Sequence, residues 1–370
     1  MKIGIDARLW NETGVGRYIR ALVTNLGKYD KHNEYVLFLK SPEFDTVKMP
    51  NSKWQKIEAN IRWHTLQEQL LMPRIYKLAR IDLLHIPYFS VPVFTSVPFI
   101  VTIHDLTISH FATGKATTKP LPVYFLKHAG YRLVMALAIR RACRVICVSQ
   151  FVKQQLLAEY HLPADRIVVT YEAGQLESKS DTFLLIPYQN YILYVGNAHP
   201  HKNLVSLIKA FQTLRQTNPT LELVLIGKID YFYNKLQIWV QKMQFKGVYF
   251  IGEVANNQLP IWYKQAKAFV FPSLSEGFGI PGLEAMSVRC PVVVSDIAVF
   301  REIYKEAAVY FKPTDVRDLA HKIDEILKNQ TLKQQLVLQG KKRVKYFSWI
   351  QMAQETLKTY EDCARLRSGK

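Results

Sequence analysis

The sequence contains no long apolar run and few cysteines, and these two shortages exclude whole classes of protein. No stretch of about 18 or more apolar residues occurs, so no segment is predicted to span a bilayer. Only four cysteines are present, and Cys143 and Cys147 have no second Cys or His pair that would complete a metal site. We therefore expect reduced thiols in a cytoplasmic protein, without a disulfide framework or a metal.

Acidic residues are also scarce. The chain has 49 Lys and Arg residues against 30 Asp and Glu residues, and the net charge of +19 is spread over both halves. Such an excess suits an anionic membrane surface, a polyanionic substrate or nucleic acid. No nucleic-acid-binding module with clustered aromatic and basic residues is recognisable, so nucleic acid is not predicted as a partner.

Two stretches combine this basic charge with apolar side chains, Arg62–Arg80 and Leu121–Arg144. Each fits either an amphipathic helix that lies in a membrane interface or a core-packing helix with a solvated basic face. Because both stretches agree with the overall charge, we expect a cytoplasmic protein with peripheral contact at the inner face of an anionic membrane.

The chain of 370 residues is long enough for two domains, each with its own core. Apolar runs alternate with segments of helical period in both halves, which predicts two doubly wound α/β domains with parallel sheets. Between residues 176 and 189 this alternation gives way to polar residues, so we place a linker there, between domains at 1–175 and 190–346. The remaining segment, 347–370, is predicted to be a helix that docks back across these domains.

The stretch from Ser273 to Asp296 lies at a predicted strand-to-helix junction. The apolar run at 268–271 predicts a buried parallel strand, and the segment at 281–287 predicts a helix with a proline in its first turn. A glycine-marked loop therefore opens onto a helix N-terminus.

This loop offers several groups that suit a sugar or phosphate ligand. The N–H groups of Phe278, Gly279 and Ile280, with the positive end of the helix dipole, suit an anionic or hydroxyl-rich ligand. Glu276 and Glu284 flank the turn, and a carboxylate accepts hydrogen bonds from sugar hydroxyls. The same residues also fit a capped tight turn, and the loop alone does not distinguish the two interpretations.

Two turns of the N-terminal half place further candidates after predicted strands. Gly14 and Gly16 lie at a strand-to-helix junction, where small residues let a phosphate approach the backbone. His104 and Asp105 follow another strand, at the sheet edge where ligands of such folds bind. A histidine there fits a catalytic or substrate-orienting group, and it also fits a half-buried histidine tied to a carbonyl.

The first turn of the C-terminal half is a second candidate anion site. Gly196 follows the predicted strand 191–195, and Lys202 lies where the next helix begins. A glycine turn with a fixed cation suits a phosphate, whereas a solvated surface lysine is the alternative. The position beyond the carboxyl end of a strand favours the ligand site.

Several motifs, in this order, resemble those of retaining glycosyltransferases of family 4, which have the GT-B fold: G-V-G-R at 14–17, T-I-H-D at 102–105, V-G-N-A-H-P-H-K-N-L at 195–204 and S-E-G-F-G-I-P-G-L-E-A-M at 275–286. The resemblance covers nearly the whole chain. It implies two Rossmann-like domains that face each other across a cleft, with the C-terminal helix crossing back to the N-terminal domain.

The resemblance also implies roles for the residues of the glutamate-flanked loop. Glu276 would hold hydroxyls of the donor sugar, a catalytic position, together with the N–H groups of Phe278 and Gly279. Ile280 would complete this set of backbone donors. Glu284 would bind the nucleotide ribose.

The other candidates receive roles in the same way. Lys202 would bind the donor diphosphate, with Gly14 and Gly16 supplying N–H groups from the N-terminal domain. His104 would lie near the transferred sugar and the acceptor, supported by Asp105. Both are assigned to the catalytic set.

The chain departs from the family pattern at two donor-binding positions. His201 stands where many relatives have arginine, and Asn197 stands where some do. Fewer fixed cations therefore face the diphosphate, and His201 compensates only when it is protonated.

The implied function is metal-independent transfer of a sugar from a nucleotide donor to a glycan or lipid-linked acceptor in cell-surface polysaccharide synthesis, with retention of anomeric configuration. Mannose from GDP-mannose is the first expectation, and no cofactor is expected. The sequence contains no strand-end Asp-x-Asp of the kind that holds a metal-bound diphosphate. The alternatives are a GT-B-like sugar-nucleotide epimerase, which needs no acceptor, and a non-enzymatic polyanion-binding protein.

Overall fold

The structure is a computed structural model that describes residues 1–107, 121–176 and 186–368. The chain divides into two compact units, one formed by residues 1–172 and 348–370, the other by residues 173–347. Most of the predicted linker, residues 177–185, lies outside the described residues.

The first unit contains a fully parallel, seven-stranded sheet with the order β3-β2-β1-β4-β5-β6-β7. Its strands are β1 Lys2–Asp6, β2 Glu34–Leu39, β3 Trp54–Glu58, β4 Leu83–Ile86, β5 Phe99–Ile103, β6 Arg144–Cys147 and β7 Ile167–Val169. Its described helices are α1 Gly14–Tyr29, α2 Glu43–Thr46, α3 Leu66–Leu78, α4 Leu121–Arg141 and α5 Gln150–Tyr160, with a 3-10 turn at Ala164–Arg166. Strands β4 and β5 are buried along their whole length, as expected for a sheet covered on both faces.

The second unit repeats this architecture with a six-stranded parallel sheet in the order β10-β9-β8-β11-β12-β13. Its strands are β8 Tyr191–Val195, β9 Glu222–Ile226, β10 Val248–Gly252, β11 Ala268–Phe271, β12 Val292–Ser295 and β13 Val309–Phe311. Its helices are α6 Leu204–Thr217, α7 Tyr231–Lys242, α8 Leu259–Gln265, α9 Ile280–Ser287, α10 Ala298–Tyr304, α11 Val316–Lys328 and α12 Gln330–Val344, with 3-10 turns at Pro200–Lys202 and Lys305–Ala307. The predicted pair of doubly wound α/β domains is confirmed.

The C-terminal helix α13, Trp349–Ser368, belongs to the first unit. Met352, Ala353 and Tyr360 are buried in the core of that unit. The Tyr360 hydroxyl lies 2.6 Å from Nδ1 of His85, on the buried strand β4. The predicted return of this helix is therefore confirmed.

In each sheet the strand order reverses at one point, between β1 and β4 and between β8 and β11. Connections leave such a switch point toward opposite faces of the sheet, which opens a crevice beyond the carboxyl ends of the two strands. The fold therefore offers one such crevice in each unit.

Two local features differ from the sequence prediction. Strand β3 was not predicted, because in W-Q-K-I-E only Trp54 is buried and an edge strand lacks the continuous apolar run of the central strands. Helix α1 begins at Gly14, whereas the sequence predicts its start near Arg17. Gly14 and Gly16 therefore belong to the first helical turn.

No helix in the described ranges is long and apolar enough to cross a membrane.

Candidate active site

In the second unit, the candidate site lies at the switch point between β8 and β11. The Nζ atom of Lys202, after β8, lies 2.5 Å from Oε1 of Glu276, after β11. Their side chains are only 13% and 14% exposed. A second contact holds the two turns together, because the Leu274 N–H donates to the His201 carbonyl over 2.7 Å. The predicted cation and the predicted sugar-binding carboxylate thus lie in one cluster.

Both the backbone conformation and the packing at position 279 require a glycine. Gly279 has φ +104° at the N-terminus of α9, and a Cβ there would lie 2.3 Å from the Tyr304 hydroxyl oxygen. That hydroxyl donates to the Gly279 carbonyl over 2.5 Å. Tyr304 therefore fixes the turn that presents the first N–H groups of α9, including that of Ile280.

The Phe278 side chain is not placed to contact a ligand. It is buried and packs edge-on against Phe347, with 5.4 Å between ring centroids. Only its backbone N–H remains a candidate for a ligand contact. The aromatic contact instead anchors the loop on the core of the second unit.

Glu284 lies in α9 and is 2% exposed. Its Oε2 accepts a hydrogen bond of 3.1 Å from the Tyr263 hydroxyl on α8. The carboxylate is therefore held in a fixed orientation near the N-terminal half of α9. That placement is consistent with hydrogen bonding to a ligand hydroxyl and with a purely structural bond to Tyr263.

The turn after β8 is shaped by hydrogen bonds to its backbone. The Asn197 carbonyl accepts from the Tyr194 hydroxyl over 2.7 Å, and its side-chain oxygen accepts from the His199 N–H over 3.3 Å. The ring of His201 stacks on that of His199 at 5.9 Å. Burial, partly offset by Asp230, and the Lys202 charge together lower the pKa of His199. A lowered pKa favours neutral His199, which adds no second positive charge beside Lys202.

In the first unit, His104 lies directly after β5 and hydrogen-bonds on both sides of its ring. Nδ1 lies 3.0 Å from Oε1 of Glu172, and Nε2 lies 3.0 Å from the Pro87 carbonyl oxygen. The Tyr18 ring packs edge-on against it at 5.0 Å. Since both partners accept hydrogen bonds, the geometry favours an imidazolium with a proton on each nitrogen.

The electrostatics agree with that protonation state. Burial acts to lower the pKa of His104, but the hydrogen bond and the charge of Glu172 outweigh it, and the net effect is a raised pKa. The charge of Asp105 also raises this pKa. The Asp105 carboxylate itself accepts from the Thr107 N–H over 2.7 Å, so it shapes the turn after β5 as well.

The first turn of α1 presents its unpaired backbone N–H groups beside Gly14. The first intrahelical bond of this helix runs from the Arg17 N–H to the Thr13 carbonyl, so the preceding N–H groups have no acceptor within the helix. A Cβ at Gly14 would meet open space, whereas one at Gly16 would lie 2.4 Å from the Trp10 carbonyl oxygen. Gly16 is thus required for packing, and Gly14 leaves the helix end accessible.

The sequence did not indicate the partners of these residues. Glu172 follows β7 in a polar stretch that resembles the start of the linker. Its position directly beyond a strand end was a signal in the sequence that could have identified it as a site residue.

Asp6, also at a strand end, forms a buried ion pair with Arg8 at 2.6 Å. Arg8 also contacts Glu68 at 2.7 Å. This cluster stabilises the first unit beside β1 and β4.

Comparisons with known proteins show the family to which this chain is related. Residues 13–173 match the model of the glycosyltransferase family 4 region, and residues 179–343 match the model of glycosyl transferases group 1. The chain is 30% identical to the O-antigen chain mannosyltransferase RfbU of Salmonella typhimurium over 265 residues, 71% of this chain and 70% of that protein. It is 29% identical to the O-antigen chain mannosyltransferase B of Escherichia coli over 378 aligned positions, 94% of this chain and 96% of that protein.

A solved structure shows the same fold over the full length. Sucrose-phosphate synthase from Thermosynechococcus elongatus superimposes with a TM-score of 0.82 and 19% identity, and the match covers 100% of both chains. The two Rossmann-like units thus form a GT-B fold. The relatives are transferases, so the epimerase alternative is not favoured. The chain belongs to the family 4 glycosyltransferases, with a group 1 glycosyltransferase region in its second half.

Proposed function

We propose that this glycosyltransferase moves mannose from GDP-mannose to a hydroxyl of a glycan or lipid-linked acceptor in cell-surface polysaccharide synthesis, with retention of anomeric configuration and without a metal ion. The observation that carries the proposal is the Lys202–Glu276 pair at the switch point of the second unit, beside the N-terminus of α9. The two O-antigen mannosyltransferase relatives support the choice of sugar and of acceptor class.

The pair supplies complementary groups for a nucleotide sugar. Lys202 provides a positive charge for the diphosphate, and the first turn of α9 adds its N–H groups and the positive end of its dipole. Glu276 then exchanges its contact with Lys202 for hydrogen bonds from the sugar hydroxyls. Glu284 orients the ribose from the same helix. These fixed charges replace the metal that other transferases use at the diphosphate.

The reaction then proceeds by departure of the diphosphate. The leaving group takes the bonding electron pair from the anomeric carbon, which develops oxocarbenium character. The acceptor hydroxyl attacks on the same face, and the departing phosphate takes its proton. Neither Glu276 nor Glu284 acts as a nucleophile in this scheme, unlike the carboxylate pair of a retaining glycosidase.

His104 contributes charge in this proposal. Its two ring nitrogens donate to Glu172 and to the Pro87 carbonyl, so the ring is not poised to accept a proton. In this proposal the imidazolium held by these bonds favours the negative charge of the leaving group.

We also propose that the enzyme contacts a membrane surface through helix α3 when it binds its acceptor. The exposed face of α3 carries Leu66, Leu70 and Leu78 beside the cations Arg74 and Lys77, and Leu66 and Leu78 are 83% and 81% exposed. The one acid of this helix, Glu68, is buried. A leucine-rich face bordered by cations suits the interface of an anionic bilayer, and this supports our proposal that the enzyme works at the inner face of the membrane on a lipid-linked acceptor.

A donor panel tests this function. The protein is incubated with GDP-mannose, UDP-glucose and UDP-N-acetylglucosamine, and released nucleoside diphosphate is measured with and without a lipid-linked glycan acceptor. We expect GDP release from GDP-mannose that the acceptor accelerates and that a metal chelator leaves unchanged. Nuclear magnetic resonance of the donor alone checks for epimerisation. Interconversion of nucleotide sugars without acceptor would replace the proposal by the epimerase.

A further inference from the structure

The second unit contains a cavity of about 560 Å³, open to solvent on one side, that the proposed function does not use. Helix α8, helix α12 and the residues that precede β11 and β12 form its walls. Five of its lining side chains are cations, and none of the described residues that line it is acidic: Lys264, Lys267, Arg289, Lys333 and Lys341. A cavity of this volume is large enough for a nucleotide-sized ligand.

The cavity lies at the opposite edge of the sheet from the candidate active site. Lys267 and Pro291 immediately precede β11 and β12, so they mark the amino ends of these strands. Glu276 follows β11 at its carboxyl end. Four strand residues extend for about 13 Å, which separates the two locations.

The cations of the cavity are not neutralised by the protein. None of the five forms an ion pair with a carboxylate within the described ranges, although other cations of this unit do so, as at Lys322 and Lys328. Partial burial, followed by the charge of Lys267, lowers the pKa of Lys333. Like charges are thus held close together, an arrangement that an anionic ligand would stabilise.

Helix α12 strengthens the positive field. It begins at Gln330, and residues from its first turns, among them Lys333 and Gln334, line the cavity. The N-terminus of a helix of 15 residues carries the positive end of its dipole, although Asn329 already accepts hydrogen bonds from the N–H groups of Leu332 and Lys333. The side-chain amides of Gln330 and Gln334 add neutral donors, so charge and hydrogen-bonding capacity both suit phosphate oxygens.

We propose that this cavity binds a ligand with two or more clustered phosphate groups, at a site separate from the donor site. Five cations exceed what a single carboxylate needs and match the charge of a diphosphate or triphosphate. The same chemistry is offered by a soluble polyphosphate compound and by the head groups of anionic lipids. This inference goes beyond the proposed transfer reaction and does not depend on it.

The test uses inorganic tripolyphosphate as the probe and calorimetry as the readout. The donor site is first weakened by Lys202→Ala in the full chain, so that the remaining binding reports on the cavity. In that background we compare Lys267→Gln/Arg289→Gln/Lys333→Gln with a matched control, Lys235→Gln/Lys242→Gln/Lys246→Gln. Both triple variants remove three positive charges from the second unit, and thermal unfolding checks that each is folded.

We expect the cavity variant to bind tripolyphosphate at least about tenfold more weakly, the equivalent of about 1.4 kcal/mol, and the control to bind within about twofold of its parent. Equal weakening in both variants would show a general charge effect, and unchanged binding in the cavity variant would show another site. Either result overturns the proposal.

A second comparison separates the two sources of phosphate. Sedimentation with phosphatidylglycerol vesicles, against phosphatidylcholine vesicles, is measured for the same variants in a Leu66→Ser/Leu78→Ser background, which removes the proposed membrane contact of α3. Loss of vesicle binding in the cavity variant alone identifies lipid head groups as the ligand. Retained vesicle binding with lost tripolyphosphate binding identifies a soluble ligand.

Discussion

The Lys202 ammonium lies 2.5 Å from the Glu276 carboxylate, although 74 positions separate these residues in the sequence. The pair forms because β8 and β11 are neighbours at the switch point of the second sheet, so the turns that follow them meet. A nearly buried cation and a nearly buried anion compensate each other there. A diphosphate that approaches Lys202 finds a cation already fixed in position.

Lys202→Gln should weaken the binding of GDP. The substitution removes a charge-assisted contact to a phosphate, and a loss of about 1.5–3 kcal/mol corresponds to more than about tenfold in affinity. Calorimetric titration with GDP measures the effect. Lys242→Gln, on the exposed end of α7, is the control and should bind GDP as the wild type does; equal affinities for all three proteins would remove Lys202 from the donor site.

Glu172→Gln should shift the pH dependence of both stability and activity. The folded-state pKa of His104 is raised, so its stabilising contribution is complete below the unfolded value of about 6.5 and is lost as pH rises through the raised value. The substitution lowers that pKa by removing the charge of Glu172. The excess stability of the wild type over the variant should therefore be largest in acid and should shrink as pH rises.

Urea unfolding at several pH values and the titration of His104 by nuclear magnetic resonance measure this effect. The pH–rate profile of the variant should lose activity on the alkaline side at a lower pH than that of the wild type. Glu34→Gln changes an exposed carboxylate of β2 and is the control. A His104 titration that is the same in wild type and Glu172→Gln would contradict the assigned interaction.

The sequence was sufficient to predict most of the fold, because the central strands are buried apolar runs that alternate with helices. It was insufficient for the edge strand β3, in which solvent-facing residues interrupt the apolar pattern. It also located residues after strand ends, such as Lys202, Glu276 and His104, since parallel strands bring their carboxyl ends to one edge.

The sequence could not indicate the interacting residue pairs that form only through long-range packing. Glu172 lies 68 positions from His104, and Glu68 lies 60 positions from Arg8. A polar residue before a linker or within a helix has no local signature that names its partner. These contacts follow from strand and helix placement, which only the folded structure specifies.

Glu68→Ala should strongly destabilise the protein. Glu68 is buried and contacts Arg8, whose guanidinium also binds Asp6 and the Ile61 carbonyl. Removal of one partner from a buried ionic cluster costs about 3–5 kcal/mol. Asp324→Ala breaks an exposed pair with Lys328 and should cost no more than about 1 kcal/mol. Urea unfolding compares the two; similar losses would show that the buried cluster contributes no more than a surface pair.

Leu66→Ser/Leu78→Ser should reduce binding to phosphatidylglycerol vesicles. Both side chains are exposed on α3, and burial of a leucine in an apolar environment contributes about 1.5–3 kcal/mol. We expect a loss of at least about tenfold in vesicle affinity, measured by co-sedimentation. Ile238→Ser/Met243→Ser alters exposed apolar residues of the second unit and should leave vesicle binding unchanged. Wild-type binding by the α3 variant would exclude this face as the membrane contact.

The most direct test of the account is the initial rate of mannosyl transfer by Glu276→Gln from GDP-mannose to a lipid-linked acceptor. Glu253→Gln, an exposed carboxylate outside the site, is the matched control. The proposed role predicts a loss of at least about 100-fold in kcat/KM for Glu276→Gln, equivalent to about 2.7 kcal/mol of transition-state stabilisation, with the control at the wild-type rate. Transfer by Glu276→Gln at the wild-type rate would contradict the assignment of this loop as the active site.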